Sequence, residues 1–153
     1  MAPDRGVLLE RLAASPSRIA AAARRVDEVD ASAGGPPEGE WTAREAVGHL
    51  VSVEVAVWQA RLDSLDAGGT PAWAWTEPGP AIGPETATLD AAIARFAELR
   101  ASTVARVAAL DDAGWARAGV HATYGRLDVA ALLGVVVDHD DEHVAGLEGR
   151  ARG

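Results

Sequence analysis

Val135-Val136-Val137-Asp138-His139-Asp140-Asp141-Glu142-His143-Val144 places two of the four histidines four residues apart. On a helix, residues at that spacing sit one above the other on the same face. Two imidazoles stacked in this way can reach one metal ion, which is why the spacing recurs in helical metal sites. At about 100° per residue, His139 and His143 share a stripe with Leu132, Val135, Val136 and Gly146. That stripe should face a core, and an inward-facing imidazole needs a partner, because an unpaired buried polar ring costs about 1–3 kcal/mol. Taken alone, the pair also fits two half-exposed histidines at the acidic end of a helix.

Working outward, the helix that carries the pair starts near Asp128, a capping residue, and ends near Leu147, with Glu148–Gly153 expected to fray. Ala130, Leu133, Val137 and Val144 line its other side, so this helix is either central or meets a second subunit. The second reading favours a homodimer. Upstream, Glu40-Trp41-Thr42-Ala43-Arg44-Glu45 opens another helix. Thr42 can cap it and Glu45 can reach back, a capping box with Trp41 just outside. This helix runs to about Asp66, with Ala46, Leu50, Val53, Ala56, Val57 and Ala60 on its apolar face. His49 lies within that arc. Glu54 and Arg61 turn away from it, and a pairing between them at i,i+7 carries little weight.

Residues 4–31 read as a helix interrupted at Ser15-Pro16-Ser17, where Pro16 or Ser17 restarts it, and Ala33-Gly34-Gly35-Pro36-Pro37 ends it. A further helix extends from about Thr86 or Thr88 to Leu110, with Leu89, Ile93, Phe96, Leu99, Thr103 and Val107 in register. Residues 67–87 form a long loop with Trp73 and Trp75, either a plug over the bundle end or the wall of a ligand pocket. Residues 111–127 make a second connection and contain His121, read as a structural or surface residue with pocket lining as the alternative. No segment shows strand alternation of any length. The expectation is an all-α, four-helix bundle over residues 1–153 as one domain, with the long loop between helices 2 and 3.

Composition narrows the function. Net charge is −9, so a phosphate backbone is repelled, and no basic stripe suggests an anionic membrane surface. There is no cysteine, which removes disulfides, thiolate metal ligands and a cysteine nucleophile. The start of the chain, Met1-Ala2-Pro3-Asp4-Arg5, does not read as a signal peptide. The apolar run from Val129 to Val137 is far short of the roughly 20 residues a membrane span needs. These features point to a cytoplasmic protein.

A bundle core is a common place for a metal site built from facing helices. His49 with His139 and His143 would supply three nitrogens and leave positions open for water or substrate, as catalytic sites do. Imidazole suits zinc, nickel, copper and iron. Asp138, Asp140 and Glu142 are read as solvated carboxylates, with a hydrogen-bonding role behind the ligands as the alternative.

The chain resembles the DinB family, the DinB/YfiT-like metalloenzymes. Glu40 through Leu50 is similar to the family's tryptophan–cap–helix–His-Leu signature, and Phe96 to Arg100 to its third helix. Trp115 through Gly125 is similar to its glycine-containing approach to the last helix, and His139 to His143 to its closing His-x-x-x-His. The resemblance spans nearly the whole chain in order. It implies a four-helix bundle, often dimeric, with a metal triad at His49, His139 and His143. Among the family's characterised members are S-transferases and isomerases that use bacillithiol, mycothiol or glutathione. The expectation is a divalent-metal enzyme, zinc or nickel foremost, performing thiol-dependent S-transfer on a small electrophile. The alternatives are a metal-dependent hydrolase and a non-catalytic metal- or ligand-binding stress-response module. With no cysteine and no Ser-His elbow, the metal would activate a bound water or an exogenous thiol.

Overall fold

The computed structural model describes residues 3–153. Four helical rods make the bundle. The first is α1 (Arg5–Ala33). The second consists of α2 (Ala43–Val53), a π-helical turn (Glu54–Gln59) and α3 (Ala60–Asp66). The third is α4 (Leu89–Ala108) and the last is α6 (Val129–Arg152), with a short α5 (Asp112–Ala116) before it. α6 has its most extensive contacts with α1, and α4 packs on both α1 and α2. No helix among the described residues is long and apolar enough to cross a membrane.

α1 departs from the expected break. It runs through Pro16 without interruption. A proline in a helix interior leaves the carbonyl four residues earlier without its donor. Here that carbonyl belongs to Leu12, and the Arg100 guanidinium donates to it at 3.2 Å. Ser15 donates its hydroxyl to the Arg11 carbonyl at 3.1 Å. The helix survives because a side chain from α4 replaces the missing N–H.

The second rod begins as expected. Thr42 accepts from Glu45 N, and Glu45 accepts from Thr42 N, at 3.1 and 3.0 Å. Its inner face then shifts. The π turn inserts one residue into the helical count, so Ala56 and Ala60, expected inside, are exposed. Val57 is buried as expected, and Trp58, Arg61, Leu62 and Leu65 are buried in place of the two alanines.

A small sheet, absent from the expectation, joins the two long connections. β1 (Ala72–Trp73) pairs in parallel with β2 (Ala118–His121), and β2 pairs antiparallel with β3 (Gly125–Asp128). Strands of two and four residues are too short to show an alternating pattern. Gly119 lets the Trp73 ring lie flat on the strand: a Cβ there would come within 2.6 Å of the indole. Gly125, at φ 75°, closes the hairpin.

α6 continues to Arg152 and does not fray after Leu147. Arg150 anchors its end by donating to Asp30 at 2.8 Å and to the Trp41 carbonyl at 2.8 Å. Ala130, Leu133, Val137 and Val144 are buried by the chain's own helices, so α6 is central. The apolar core falls into two clusters, one around Leu12, Leu62 and Leu133, the other around Ile19, Val47 and Phe96. Arg100 touches both, through the Leu12 carbonyl and through the Phe96 ring 5.1 Å from its guanidinium carbon. The layer between the clusters is polar, and the histidines lie on the same stretches of α2 and α6.

Candidate metal centre

Three imidazoles meet there. His49, His139 and His143 each offer a ring nitrogen, and these three atoms lie within 4.8 Å of one another. Nε2 of His139 and Nε2 of His143 are 3.2 Å apart. The ring of His49 is centred 5.0 Å from that of His143 and 6.0 Å from that of His139.

The His49 ring is held from behind. His49 Nδ1 donates to the Pro78 carbonyl at 2.6 Å. A carbonyl only accepts, so this bond puts the proton on Nδ1 and leaves the Nε2 lone pair facing its neighbours. The loop reaches His49 because residue 48 is glycine: Ala81 N donates to the Gly48 carbonyl at 3.0 Å. A Cβ at Gly48 would meet the Ala81 carbonyl at 3.3 Å. Trp41 packs its ring 5.0 Å from that of His49, and Trp58 stands edge-on to His139 at 5.6 Å.

The two rings on α6 are kept neutral. Burial pushes the pKa of His143 down to about 4, assisted by His139 and His49 and opposed by Asp140 and Glu142. Burial lowers that of His139 as well, with Asp140 and Glu77 pulling the other way. Nε2 of His49 and Nδ1 of His139 are buried and have no hydrogen-bond partner. Orphaned buried nitrogens cost free energy unless something binds them. A divalent ion among the three rings would meet that need for Nε2 of His49. Imidazole nitrogens about 2.0–2.1 Å from zinc in tetrahedral array lie roughly 3.3 Å apart, close to the separation of the two Nε2 atoms. Neutral, buried nitrogen donors suit such an ion.

Two openings lead to the cluster. Beside His139 and His49 is a narrow inner pocket of about 20 Å³, room for one water, bordered by Trp58, Arg61, Glu77 and Tyr124. It continues into an outer cleft of about 290 Å³ walled by Trp58, Trp75, Tyr124 and Val135. On the far side, His143 borders a separate groove of about 220 Å³ with Trp41, Glu142 and Arg150.

A sequence profile of the DinB superfamily matches residues 11–146. The chain belongs to the DinB superfamily. Among solved structures it is similar to YfiT from Bacillus subtilis, described as a probable metal-dependent hydrolase with an unusual four-helix bundle topology. The two share 20% identity, with a TM-score of 0.75 over 99% of this chain and 92% of that one. The likeness shows the four-helix bundle fold. No curated protein sequence matches the chain.

The other pocket candidates divide. Trp75 lines the cleft. Trp73 lies in the core, its indole N–H donating to Ser64 Oγ at 3.0 Å. His121 is buried at the end of β2, away from the triad; its Nδ1 accepts from Thr123 N and Tyr124 N at 3.0 and 3.4 Å. It shapes the turn that presents Tyr124, whose ring is centred 4.8 Å away. Trp58, Arg61, Glu77 and Tyr124 escaped sequence reading. The first two become inward-facing only through the π turn, and the last two sit in connections with no periodicity.

Asp140 and Glu54 also differ from expectation. Both are buried, and Arg100 bridges them: Nε and Nη2 to Glu54 at 3.0 Å each, Nη1 and Nη2 to Asp140 at 2.6 and 3.0 Å. Asp138 and Glu142 are exposed, as expected.

Proposed function

We propose that this chain is a divalent-metal enzyme that joins an exogenous thiol to a small electrophile, with His49, His139 and His143 as the ligands. The convergence of the three imidazoles, with one buried nitrogen on His49 and one on His139 left unpartnered, carries this reading. A divalent ion held by three nitrogens supplies Lewis acidity that makes a thiol or water acidic near neutral pH. The chain's residues do the rest. The Pro78 carbonyl holds the lone pair of His49 toward the site. Glu77, which borders the inner pocket, accepts the proton released there. Trp58, Trp75 and Tyr124 hold the electrophile and exclude water. Two separate approaches, one beside His139 and one beside His143, suit a reaction of two substrates.

Hydrolysis is the second reading. A carboxylate at a pocket sized for one water is what a general base for water attack requires. The description of YfiT as a probable metal-dependent hydrolase supports it.

Protein purified without an affinity tag should contain close to one zinc or nickel per chain by elemental analysis. His49→Ala and His143→Ala should each weaken metal binding by at least about 100-fold. In Co(II)-substituted protein, adding a thiol should shift the visible spectrum; an unchanged spectrum would leave hydrolysis as the surviving reading. Retention of metal by both alanine variants at parental affinity would end the assignment of the site.

A further inference from the structure

Arg100, the other buried arginine, is answered by carboxylates, and so is the partly buried Arg150. Arg61 is not. It is only 7% exposed, yet its one protein acceptor is the Ala74 carbonyl, 3.1 Å from Nη2. No carboxylate among the described residues lies within 4.0 Å of it. Its guanidinium rests against the Trp58 and Trp73 rings, 5.3 and 5.7 Å from their centroids. Burial holds its pKa below the usual arginine value, so the desolvation of this charge is not repaid within the fold.

The position of Arg61 gives the charge a use. Arg61 is the only arginine that borders the inner pocket, which it shares with His49 and His139. Trp58 stands between, its ring 5.3 Å from the guanidinium carbon and 5.6 Å from the His139 ring. A small molecule with its charged end in the inner pocket at Arg61 and its body against Trp58 in the outer cleft would lie beside His139, which borders both spaces. The walls continue outward as Trp75 and Tyr124, both half exposed.

We propose that Arg61 binds the carboxylate of a small, flat, aromatic or unsaturated substrate and so sets the distance of its reacting carbon from the three histidines. The proposal rests on the reading of this cleft as the substrate site. A guanidinium fork matches the two oxygens of a carboxylate, and the aromatic rings match a planar body. The charge pattern selects a monoanion. Glu77 borders the same pocket and Asp138 and Glu142 border its mouth, so a dianionic phosphate would meet three carboxylates. A ligand with one negative end and a neutral body meets the single cation and avoids them.

The test uses phenylacetate and its neutral isostere phenylacetamide, titrated calorimetrically into the full-length protein after metal removal by chelation. The acid should bind about ten- to a hundredfold more tightly than the amide, the difference expected of a charge-assisted bidentate contact. Arg61→Gln should abolish that preference, and Arg61→Lys should keep part of it. Because the metal has been removed, the outcome does not depend on the metal reading. Equal binding of acid and amide to the parent protein, no binding of either, or an acid preference that survives in Arg61→Gln would overturn the proposal. The comparison of acid with amide on the unmodified protein needs no variant to fold.

Discussion

Two polar clusters occupy the same level of the bundle, and they are built on opposite terms. In the Glu54–Arg100–Asp140 cluster every charge is answered. Five guanidinium contacts reach two carboxylates and the Leu12 carbonyl, with the three side chains at most 1% exposed. In the histidine cluster, whose His139 directly precedes Asp140 on α6, two buried nitrogens have no partner and two others face each other at 3.2 Å. The first cluster is complete as it stands and ties α1, the π turn of the second rod, α4 and α6 together. The second is complete only with a further atom. Buried polar groups that satisfy one another serve structure, and buried polar groups that do not mark a binding site.

The sharpest way to break this contrast is to remove Arg100. Arg100→Met leaves two carboxylates buried without a counter-charge and frees the Leu12 carbonyl beneath Pro16. Breaking a buried ion pair from one side costs about 3–5 kcal/mol, which for a chain of this size lowers the melting temperature by roughly 10 °C or more. Replacing all three charges by apolar groups (Glu54→Leu, Arg100→Met, Asp140→Leu) should recover most of that loss, because the desolvation of the ions is then avoided as well. Urea unfolding of the single and triple variants would measure both. A neutral Arg100→Met would mean that water reaches the cluster and that the two regions are less different than their hydrogen bonds imply.

Acid sharpens the comparison from the other side. The folded pKa of His143 is about 4, against an ordinary value of 6.5. Above pH 6.5 the ring is neutral in both folded and unfolded chains, and stability does not depend on it. Between pH 6.5 and 4 the unfolded chain takes up a proton that the native ring refuses, so the metal-free protein loses stability as pH falls through that window. The loss should be on the order of 2 kcal/mol, allowing for partial exposure of the ring. His143→Gln should flatten the parent's slope in that window when melting temperatures are compared with chelator present. Saturating zinc at pH 7 should act oppositely, adding about 2.7 kcal/mol at a free concentration 100 times Kd. Identical acid profiles for parent and variant would show the ring to be hydrated and easily charged.

The same contrast explains what was legible in the sequence. The helices were, because apolar spacing and caps such as the Thr42–Glu45 box are local signals. The convergence of the three histidines was, because an i,i+4 pair and a third histidine on an apolar arc are local signals, although the spacing of the pair alone also fitted a half-exposed position. The charged cluster was not. Glu54, Arg100 and Asp140 come from three helices, and each looks like a solvated charge until its partners, 40 and 46 residues away, are in place. The inner face of the second rod was misplaced for another reason. A π turn leaves no mark on composition, yet it moves every later residue around the axis by one position. That single shift turned Trp58 and Arg61 inward and Ala56 and Ala60 outward.

Pro16 offers the finest test. A proline inside an ordinary helix costs about 3 kcal/mol relative to alanine, so Pro16→Ala would ordinarily be strongly stabilising. Here the carbonyl that the proline strands is the one that Arg100 uses. Restoring the N–H at position 16 gives Leu12 a helical donor, but it also straightens the turn against a guanidinium held by two carboxylates. The gain from the new hydrogen bond and the loss from a weakened Arg100 contact should largely cancel. The urea midpoint of Pro16→Ala should correspond to a change of less than about 1 kcal/mol. In an Arg100→Met background the carbonyl has no other donor, and the same substitution should stabilise by clearly more. A double-mutant cycle over positions 16 and 100 therefore measures how far one arginine compensates for one proline across 84 residues of chain. If Pro16→Ala contributes the same in both backgrounds, the two residues are independent, and the continuity of α1 needs a different cause.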